Sequence, residues 1–269
     1  MNVAILADIH GNIVALDAVL RDLEHWGGVD HIVVVGDLFT FGPAPNEVLA
    51  SLQQLPLACF LLGNTDRYLL DETYPSSYGN GDWQDMLLFS FHWTAERLEG
   101  EGFRFLETLP AFQIVEDGVH QILAAHGSPR SDEEGLTIET EDSEFEGMLI
   151  GPEVAVLACG HTHVPMDRSV GGLRVVNAGS VGLPFDGDPR ACYAVISSPT
   201  GNGEGPIQVQ VRRVTYNVEE VVEQFFARGH PASDIGAYNL RTARSIGSNL
   251  IYTPEMRNFN TSSTVDDQR

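Results

Sequence analysis

The stretch LADIHGN, residues 6–12, closes an apolar run that begins at Val3 and then places Asp8, His10 and Asn12 within five positions. An apolar run of this length is typical of a buried strand. Packing alone does not require an acid and an imidazole directly after it. In open α/β sheets, however, the carboxyl ends of the strands form the crevice in which binding sites assemble. The stretch therefore predicts both a strand and a polar site at its end.

The periodicity of apolar residues alternates between strand and helix over the first 64 residues. The pattern predicts strands at 3–7, 31–37 and 57–64, with helices at 12–26 and 44–55. Strands that alternate with helices favour α/β alternation with a largely parallel sheet.

The rest of the chain is richer in strands. Residues 67–83 carry turn chemistry without periodicity, a helix is predicted from residue 83, and later strands are predicted at 112–126 (a hairpin about Asp117-Gly118), 154–161, 173–179, 191–197 and 207–214. A second sheet packed on the first is expected. We predict one domain over residues 1–228 and a C-terminal extension over 229–269, partly helical and then a polar tail.

Composition limits the function classes. Thirty-eight acids face fifteen basic residues, all of them arginine, which gives a formal charge of −23. Such a field repels polyanions, so we expect no generic binding to nucleic acid and none to anionic membranes. The N-terminal apolar run is cut short by Asp8, which fits neither a signal peptide nor a membrane span, so a cytoplasmic location is expected.

Four further apolar strands end in metal-ligand side chains, as the first one does. Each ending has an ordinary explanation when taken alone, such as a helix cap, a turn or a surface histidine. Five such coincidences at the ends of buried strands are hard to attribute to chance. The residues are Asp8 and His10, Asp37, Asn64, His126, and the pair His161 and His163.

The motifs DIH, GD, GNTD, AAHG and GHTH, in this order, resemble the signature of the calcineurin-like metallophosphoesterases, particularly the small bacterial and archaeal phosphodiesterase branch. The resemblance spans roughly residues 1–215. It implies an α/β fold of four layers, a two-sheet β-sandwich flanked by helices (α/β/β/α).

The resemblance also implies a dinuclear centre whose ligands are the catalytic residues. One ion would take Asp8, His10, Asp37 and His163, and the other Asp37, Asn64, His126 and His161, with Asp37 bridging them. Two divalent ions about 4 Å apart can share a hydroxide that attacks a phosphoryl group in line. Manganese is favoured, while iron, zinc, cobalt and nickel also suit these oxygen and imidazole ligands.

Other candidate residues have weaker support. Arg130 in HGSPR follows His126 closely and suits a phosphate, so Arg130 and Asn64 are predicted to contact substrate, although an exposed loop arginine is an equal alternative for Arg130. Cys159 is expected to be a core thiol rather than a ligand. The acidic run at residues 131–147 is predicted to be a solvated loop.

The favoured function is hydrolysis of phosphodiester bonds in a small phosphorylated substrate. The alternatives are a protein phosphatase or nucleotide polyphosphate hydrolase, or a non-catalytic binding scaffold. Many family members carry a histidine where this chain has Thr65, which cannot act as a general acid near neutral pH. Activated diesters should therefore be preferred over alkyl monoesters; were alkyl monoesters cleaved well, Asp66 or an ordered water would have to supply the proton.

Overall fold

The structure, a computed structural model, describes residues 1–76, 82–116, 120–148, 150–151, 153–198 and 205–245. Within these ranges the strands are β1 (Asn2–Leu6), β2 (His31–Val34), β3 (Ala58–Phe60), β4 (Phe112–Glu116), β5 (Gln121–Ala125), β6 (Val154–Cys159), β7 (Met166–Val170), β8 (Leu173–Asn177), β9 (Ala191–Ser197) and β10 (Gln208–Val214). The helices are α1 (Ile13–Trp26), α2 (Pro45–Leu52), α3 (Asn64–Asp71), α4 (Asp82–Leu106), α5 (Asp142–Glu146), α6 (Val218–Ala227) and α7 (Ser233–Thr242).

The described strands form two five-stranded sheets, in the orders β10-β9-β1-β2-β3 and β4-β5-β6-β8-β7. We call them sheet A and sheet B. The strands of the first 64 residues pair in parallel, as predicted, but β9 and β10 pair antiparallel in sheet A. Sheet B is also mixed, because β4 and β7 pair antiparallel at its two edges. The predicted hairpin of β4 and β5 is present, while its turn at Asp117-Gly118 lies outside the described residues.

Apolar side chains alternate between the two faces of each sheet, which creates the predicted layers. In β1, Val3 and Ile5 pack between the sheets, whereas Ala4 and Leu6 pack under the helices that cover sheet A. The outer face of sheet B packs against a segment that includes Phe145 of α5. The two-sheet sandwich flanked by helices is therefore confirmed.

Local signals explain where α1 begins and ends. The side chain of Asn12 accepts a hydrogen bond from the backbone N–H of Ala15 at 3.0 Å, which caps the helix. Gly27 adopts φ 108° directly after the last turn, a conformation that glycine tolerates best. Asn12 in the opening motif is thus a helix cap.

Three elements differ from the sequence-based expectation. The segment predicted to be irregular from residue 67 begins inside α3, the acidic run contains α5, and β7 had not been predicted. The polar character of α3 explains its omission, because it follows a glycine rather than a polar cap and has few apolar residues. The domain boundary at residue 228 stays a prediction; Leu240 of α7 packs with Val221 of α6 in one apolar cluster. No helix in the described ranges has the length and apolarity needed to cross a membrane.

Candidate metal centre

The structure brings together all seven predicted ligand side chains at the carboxyl ends of strands from both sheets. In sheet A, β1 leads to Asp8 and His10, β2 to Asp37 and β3 to Asn64; in sheet B, β5 leads to His126 and β6 to His161 and His163. Six of these residues are buried, and His161 is partly exposed at the entrance. The convergence follows from the parallel pairing of the strands that carry them.

The first cluster consists of Asp8, His10, Asp37 and His163, whose candidate ligand atoms all lie within 4.8 Å of one another. Nε2 of His10 lies 3.1 Å from Nε2 of His163 and 3.6 Å from Oδ2 of Asp37. Nε2 of His163 lies 3.4 Å from Oδ1 of Asp8. This membership matches the first ligand set implied by the resemblance.

The hydrogen bonds of this cluster fit a binding site for a cation. Nδ1 of His10 donates to the carbonyl of Thr40 at 2.8 Å, and Nδ1 of His163 donates to the carbonyl of Leu183. In the neutral rings both Nε2 atoms are then acceptors that face each other. Oδ1 of Asp8 is also buried, with no hydrogen-bond partner among the described residues. Converging acceptors are costly in a buried site, and a divalent cation between them removes that cost.

The charge states support this reading. Burial raises the pKa of Asp8, but the imidazoles of His163, His126 and His10 outweigh it and hold the pKa at about 2. Burial lowers the pKa of His10 to about 4. Near neutral pH Asp8 is therefore ionised and His10 is neutral, which are the forms that bind metal. Burial lowers the pKa of His126 and of His163, but the carboxylates around them outweigh it and raise the pKa of both, so a cation would displace protons from these two rings.

The second cluster is organised around Oδ1 of Asn64. Nε2 of His126 lies 2.9 Å from this atom and Nδ1 of His161 lies 3.0 Å from it. Nδ1 of His126 donates to the carbonyl of Val35 at 2.7 Å, so its Nε2 is again directed inward as an acceptor. Together with Asp37, these residues are the second implied ligand set.

Asp37 belongs to both clusters through different oxygens. Its Oδ2 lies 3.6 Å from Nε2 of His10, and its Oδ1 lies 3.4 Å from Nε2 of His126. Oδ1 also accepts a hydrogen bond from the backbone N–H of Thr65 at 3.0 Å. The carboxylate is thus held between the two clusters, where a bridging ligand would have to lie.

The backbone of the site is strained where the ligands lie. Five ligand residues have φ between 47° and 66°, a region that residues other than glycine rarely adopt: Asp8, His10, Asp37, His161 and His163. Strain of this kind concentrates at functional sites. Two glycines that directly precede ligands have no room for a side chain. A Cβ on Gly63 would lie 2.2 Å from Oδ1 of Asp37, and a Cβ on Gly160 would lie 2.7 Å from Oδ2 of Asp8.

Several supporting residues were not predicted from the sequence. The carboxylate of Asp66 accepts backbone hydrogen bonds from Asp37, Leu38 and Gly63 and is fully buried, so it faces the backbone rather than a substrate. Asn177, at the end of β8, donates to the carbonyl of Gly160 at 2.7 Å. In the sequence, the position of Asn177 at the end of a strand is the one signal that could have identified this role.

Two more contacts secure the first cluster. The hydroxyl of Ser180 donates to the carbonyl of Asp8 at 2.8 Å. The ring of Phe185 stacks on the imidazole of His163, with centroids 4.3 Å apart and planes 8° apart. The sequence contains no local signal for this stacking, because the two rings come from different loops.

The remaining candidates lie in distinct environments. The Arg130 guanidinium pairs with Glu134 and Glu144, so its predicted contact with phosphate would have to compete with two carboxylates. Cys159 is a fully buried thiol in the core of sheet B, as predicted, and burial raises its pKa to about 12. The prediction that the acidic run is a solvated loop is wrong in part, since the run pairs with Arg67, Arg130 and Arg168.

The sequence matches one known domain family. The pattern of the calcineurin-like phosphoesterase superfamily domain matches residues 1–201. An uncharacterised protein of Methanocaldococcus jannaschii is 27% identical over 245 residues, which cover 82% of this chain and 90% of that protein.

Solved structures share the fold. A metallophosphoesterase from Sphaerobacter thermophilus is 28% identical and superposes with a TM-score of 0.68, over 90% of this chain and 98% of the other. A hypothetical protein from Pyrococcus horikoshii is 24% identical with a TM-score of 0.74, over 91% and 99% of the two chains. The second likeness shows the fold alone.

Proposed function

Because the chain belongs to the calcineurin-like phosphoesterase superfamily, we propose that it is a dinuclear metal-dependent hydrolase of phosphodiester bonds in small phosphorylated substrates. One observation carries the proposal: Asp37 presents one carboxylate oxygen to each of two clusters of inward-facing acceptors. A single ion would leave one cluster of buried acceptors uncompensated. The similarity to the metallophosphoesterase of Sphaerobacter thermophilus supports the same class of chemistry.

The residues that would hold the two ions are the seven described above. Asp8, His10, Asp37 and His163 would hold one ion, and Asp37, Asn64, His126 and His161 the other. When bound, such ions polarise a phosphoryl oxygen and lower the pKa of a water molecule. Manganese is the favoured ion, and a ligand set of oxygen and imidazole donors without thiolate leaves iron, zinc, cobalt and nickel as substitutes.

The protein's own contribution is to fix these ligands before substrate arrives. Carbonyl acceptors hold the rings of His10, His126 and His163 in one orientation. A hydrogen bond to the second ring nitrogen of a metal-binding histidine typically contributes a large share of the metal affinity. Local cations also reverse the sign of the field, so an anionic substrate can approach in a chain of net charge −23.

The preference for diesters with good leaving groups rests on Thr65. Thr65 is buried, its backbone N–H donates to Asp37, and its hydroxyl cannot protonate an alkoxide near neutral pH. An aryl or nucleotide leaving group departs without such an acid. Asp66 is no substitute, because its carboxylate is directed at backbone N–H groups.

The proposal is tested by stripping the protein with chelator and measuring hydrolysis of bis(p-nitrophenyl) phosphate before and after manganese is restored. Phosphoserine peptides and a dinucleoside polyphosphate in the same panel test the phosphatase and polyphosphate hydrolase alternatives. His126→Ala should abolish turnover, and the exposed His92→Ala serves as the matched control. Metal-independent turnover would overturn the proposal, and absent turnover across the panel would overturn it and favour a binding scaffold.

We also propose that the chain acts in the cytoplasm and does not bind generic nucleic acid. A formal charge of −23 without a basic stripe supports weak binding to long DNA at physiological salt. Fluorescence anisotropy with a labelled duplex should show no saturation in the micromolar range. Submicromolar affinity would contradict this expectation.

A further inference from the structure

Two carboxylates of the acidic run bind Arg67, an arginine on the helix that carries the candidate ligand Asn64. The guanidinium of Arg67 donates from Nε to Oδ2 of Asp132 at 2.6 Å and from Nη2 to Oδ1 of the same carboxylate at 3.0 Å. Nη2 also donates to Oε1 of Glu133 at 2.7 Å. The two-bond geometry fixes the orientation of the pair as well as its distance.

Arg67 lies on the helix that begins at Asn64. The two residues are three positions apart in α3, so their side chains share one face of the helix. The hydrogen bonds of Arg67 therefore constrain the same short helix that places the Asn64 amide in the second cluster. Asn64 and Arg67 lie about one turn apart on this eight-residue helix, so the constraint acts over a short distance.

Asp132 lies on a loop that starts directly after His126. We call residues 127–135 the brace loop. The loop curls tightly over its first residue, because a Cβ on Gly127 would lie 2.9 Å from the carbonyl oxygen of Asp132. The backbone N–H of Ser128 donates to the carbonyl of Ser131 at 2.9 Å. Asp132 and His126 are thus held in a fixed relation by compact backbone.

The far end of the brace loop reaches the third ligand of the second cluster. A Cβ on Gly135 would lie 3.0 Å from Cγ2 of Thr162 and 3.5 Å from Cδ2 of His161. The loop therefore begins at His126, pairs with the helix of Asn64 and ends against His161. Among the hydrogen bonds and ion pairs of the described residues, none joins the brace loop to Asp8, His10 or His163. Asp37, the ligand that the two clusters share, is held by Thr65 and Asp66 of α3.

We propose that Arg67 and Asp132 are positioning residues that set the affinity of the second cation cluster, and that the first cluster, which shares only Asp37 with the second, is affected much less. The inference rests on the two-ion function proposed above. Asn64 supplies a neutral amide oxygen, which attracts a cation less than a carboxylate does, so this cluster depends strongly on placement. The Arg67–Asp132 pair joins the helix that follows β3 of sheet A to the loop that follows β5 of sheet B, and these two segments carry Asn64 and His126.

The test is a manganese titration of the metal-free protein by calorimetry, with equilibrium dialysis to count ions. In Arg67→Gln and Asp132→Asn one ion should bind nearly as in the parent protein, and the other should bind about 10- to 100-fold more weakly. Arg67→Lys keeps the charge without the two-bond geometry and should give an intermediate loss. Turnover at saturating manganese should be largely restored, while the manganese concentration for half-maximal turnover rises.

Arg174→Gln is the matched control, because Arg174 forms a comparable two-bond pair with Asp167 at the edge of sheet B. If Arg67→Gln and this control give the same two affinities, the inference is wrong. If both ions weaken together, the pair acts on overall stability and the inference is also wrong. A parent protein that binds one ion, or two without hydrolysis, would instead contradict the proposed function.

Discussion

The backbone N–H of Asp37 donates a hydrogen bond of 2.8 Å to the carboxylate of Asp66, a residue that lies on the helix of another ligand. The same carboxylate accepts from Leu38 at 3.0 Å and from Gly63 at 3.1 Å. One buried side chain therefore joins the loop after β2 to the loop after β3. Both loops carry candidate metal ligands, so their separation depends on Asp66.

Replacing Asp66 by Asn should destabilise the protein and weaken activity together. The new amide has one acceptor oxygen where the carboxylate has two. Its NH2 group would face a backbone N–H that now donates to the carboxylate, so at least one buried N–H would lose its partner. Such a loss costs roughly 1–3 kcal/mol. Urea unfolding of the metal-free protein measures it, with the exposed Asp71→Asn on the same helix as the control. Equal stability of the two variants would show that Asp66 does not hold the loops.

Thr65 should set the order of substrate preference. Bis(p-nitrophenyl) phosphate should be cleaved two to four orders of magnitude faster than phosphoserine, which is roughly the contribution of a positioned general acid. Thr65→Val should keep the diester rate, since Oγ1 has no hydrogen-bond partner among the described residues. Thr65→His should raise the monoester rate most. Comparable turnover of both substrates by the parent protein would contradict the preference.

A further buried imidazole, that of His230, lies away from the metal centre. His230 is 3% exposed, and its ring contacts Trp93 with centroids 4.6 Å apart and Phe225 with centroids 4.9 Å apart. Its Nδ1 accepts from the backbone N–H of Ala232 at 3.1 Å. Burial, and then the nearby Arg97, lower its pKa to about 3. The folded protein therefore holds His230 neutral.

Stability should fall as the pH drops below 6.5 because of His230. In the unfolded chain the imidazole of His230 binds a proton near pH 6.5, whereas in the folded chain it does so only near pH 3. Between these two values the free energy of unfolding therefore decreases as the pH falls. At pH 5.5 the decrease amounts to about 1.4 kcal/mol. His230→Asn keeps the acceptor and removes the titration, so unfolding measured in chelator should show a flatter pH dependence. The exposed His92→Asn should keep the parent slope; an unchanged slope in His230→Asn would contradict the expectation.

The ligand positions could be predicted from the sequence because local constraints fix them. Each ligand follows a strand, and the glycines next to Asp37 and Asp8 in space have no room for a side chain. Such constraints leave a mark within a few residues of the ligand. The two-sheet core follows the same logic, because strand periodicity shows which side chains are buried, but the order of the strands within each sheet was not predicted.

The rest could not be predicted because it depends on contacts between distant segments. Arg67 and Asp132 are 65 positions apart, and the acids around Asp132 resemble a solvated stretch until the partner is known. The stacking of Phe185 on His163 has the same character. The helix α3 was missed because its sequence is polar and its burial comes from tertiary packing.

The number of manganese ions bound per chain tests the central claim most directly. Elemental analysis after dialysis against saturating manganese should give two ions for the parent protein, because Asp37 offers one oxygen to each cluster. Asp37→Ala should weaken both ions and lose more activity than Asn64→Ala, whose side chain belongs to one cluster. One tightly bound ion in the parent protein, with no second ion at saturation, would contradict the dinuclear centre.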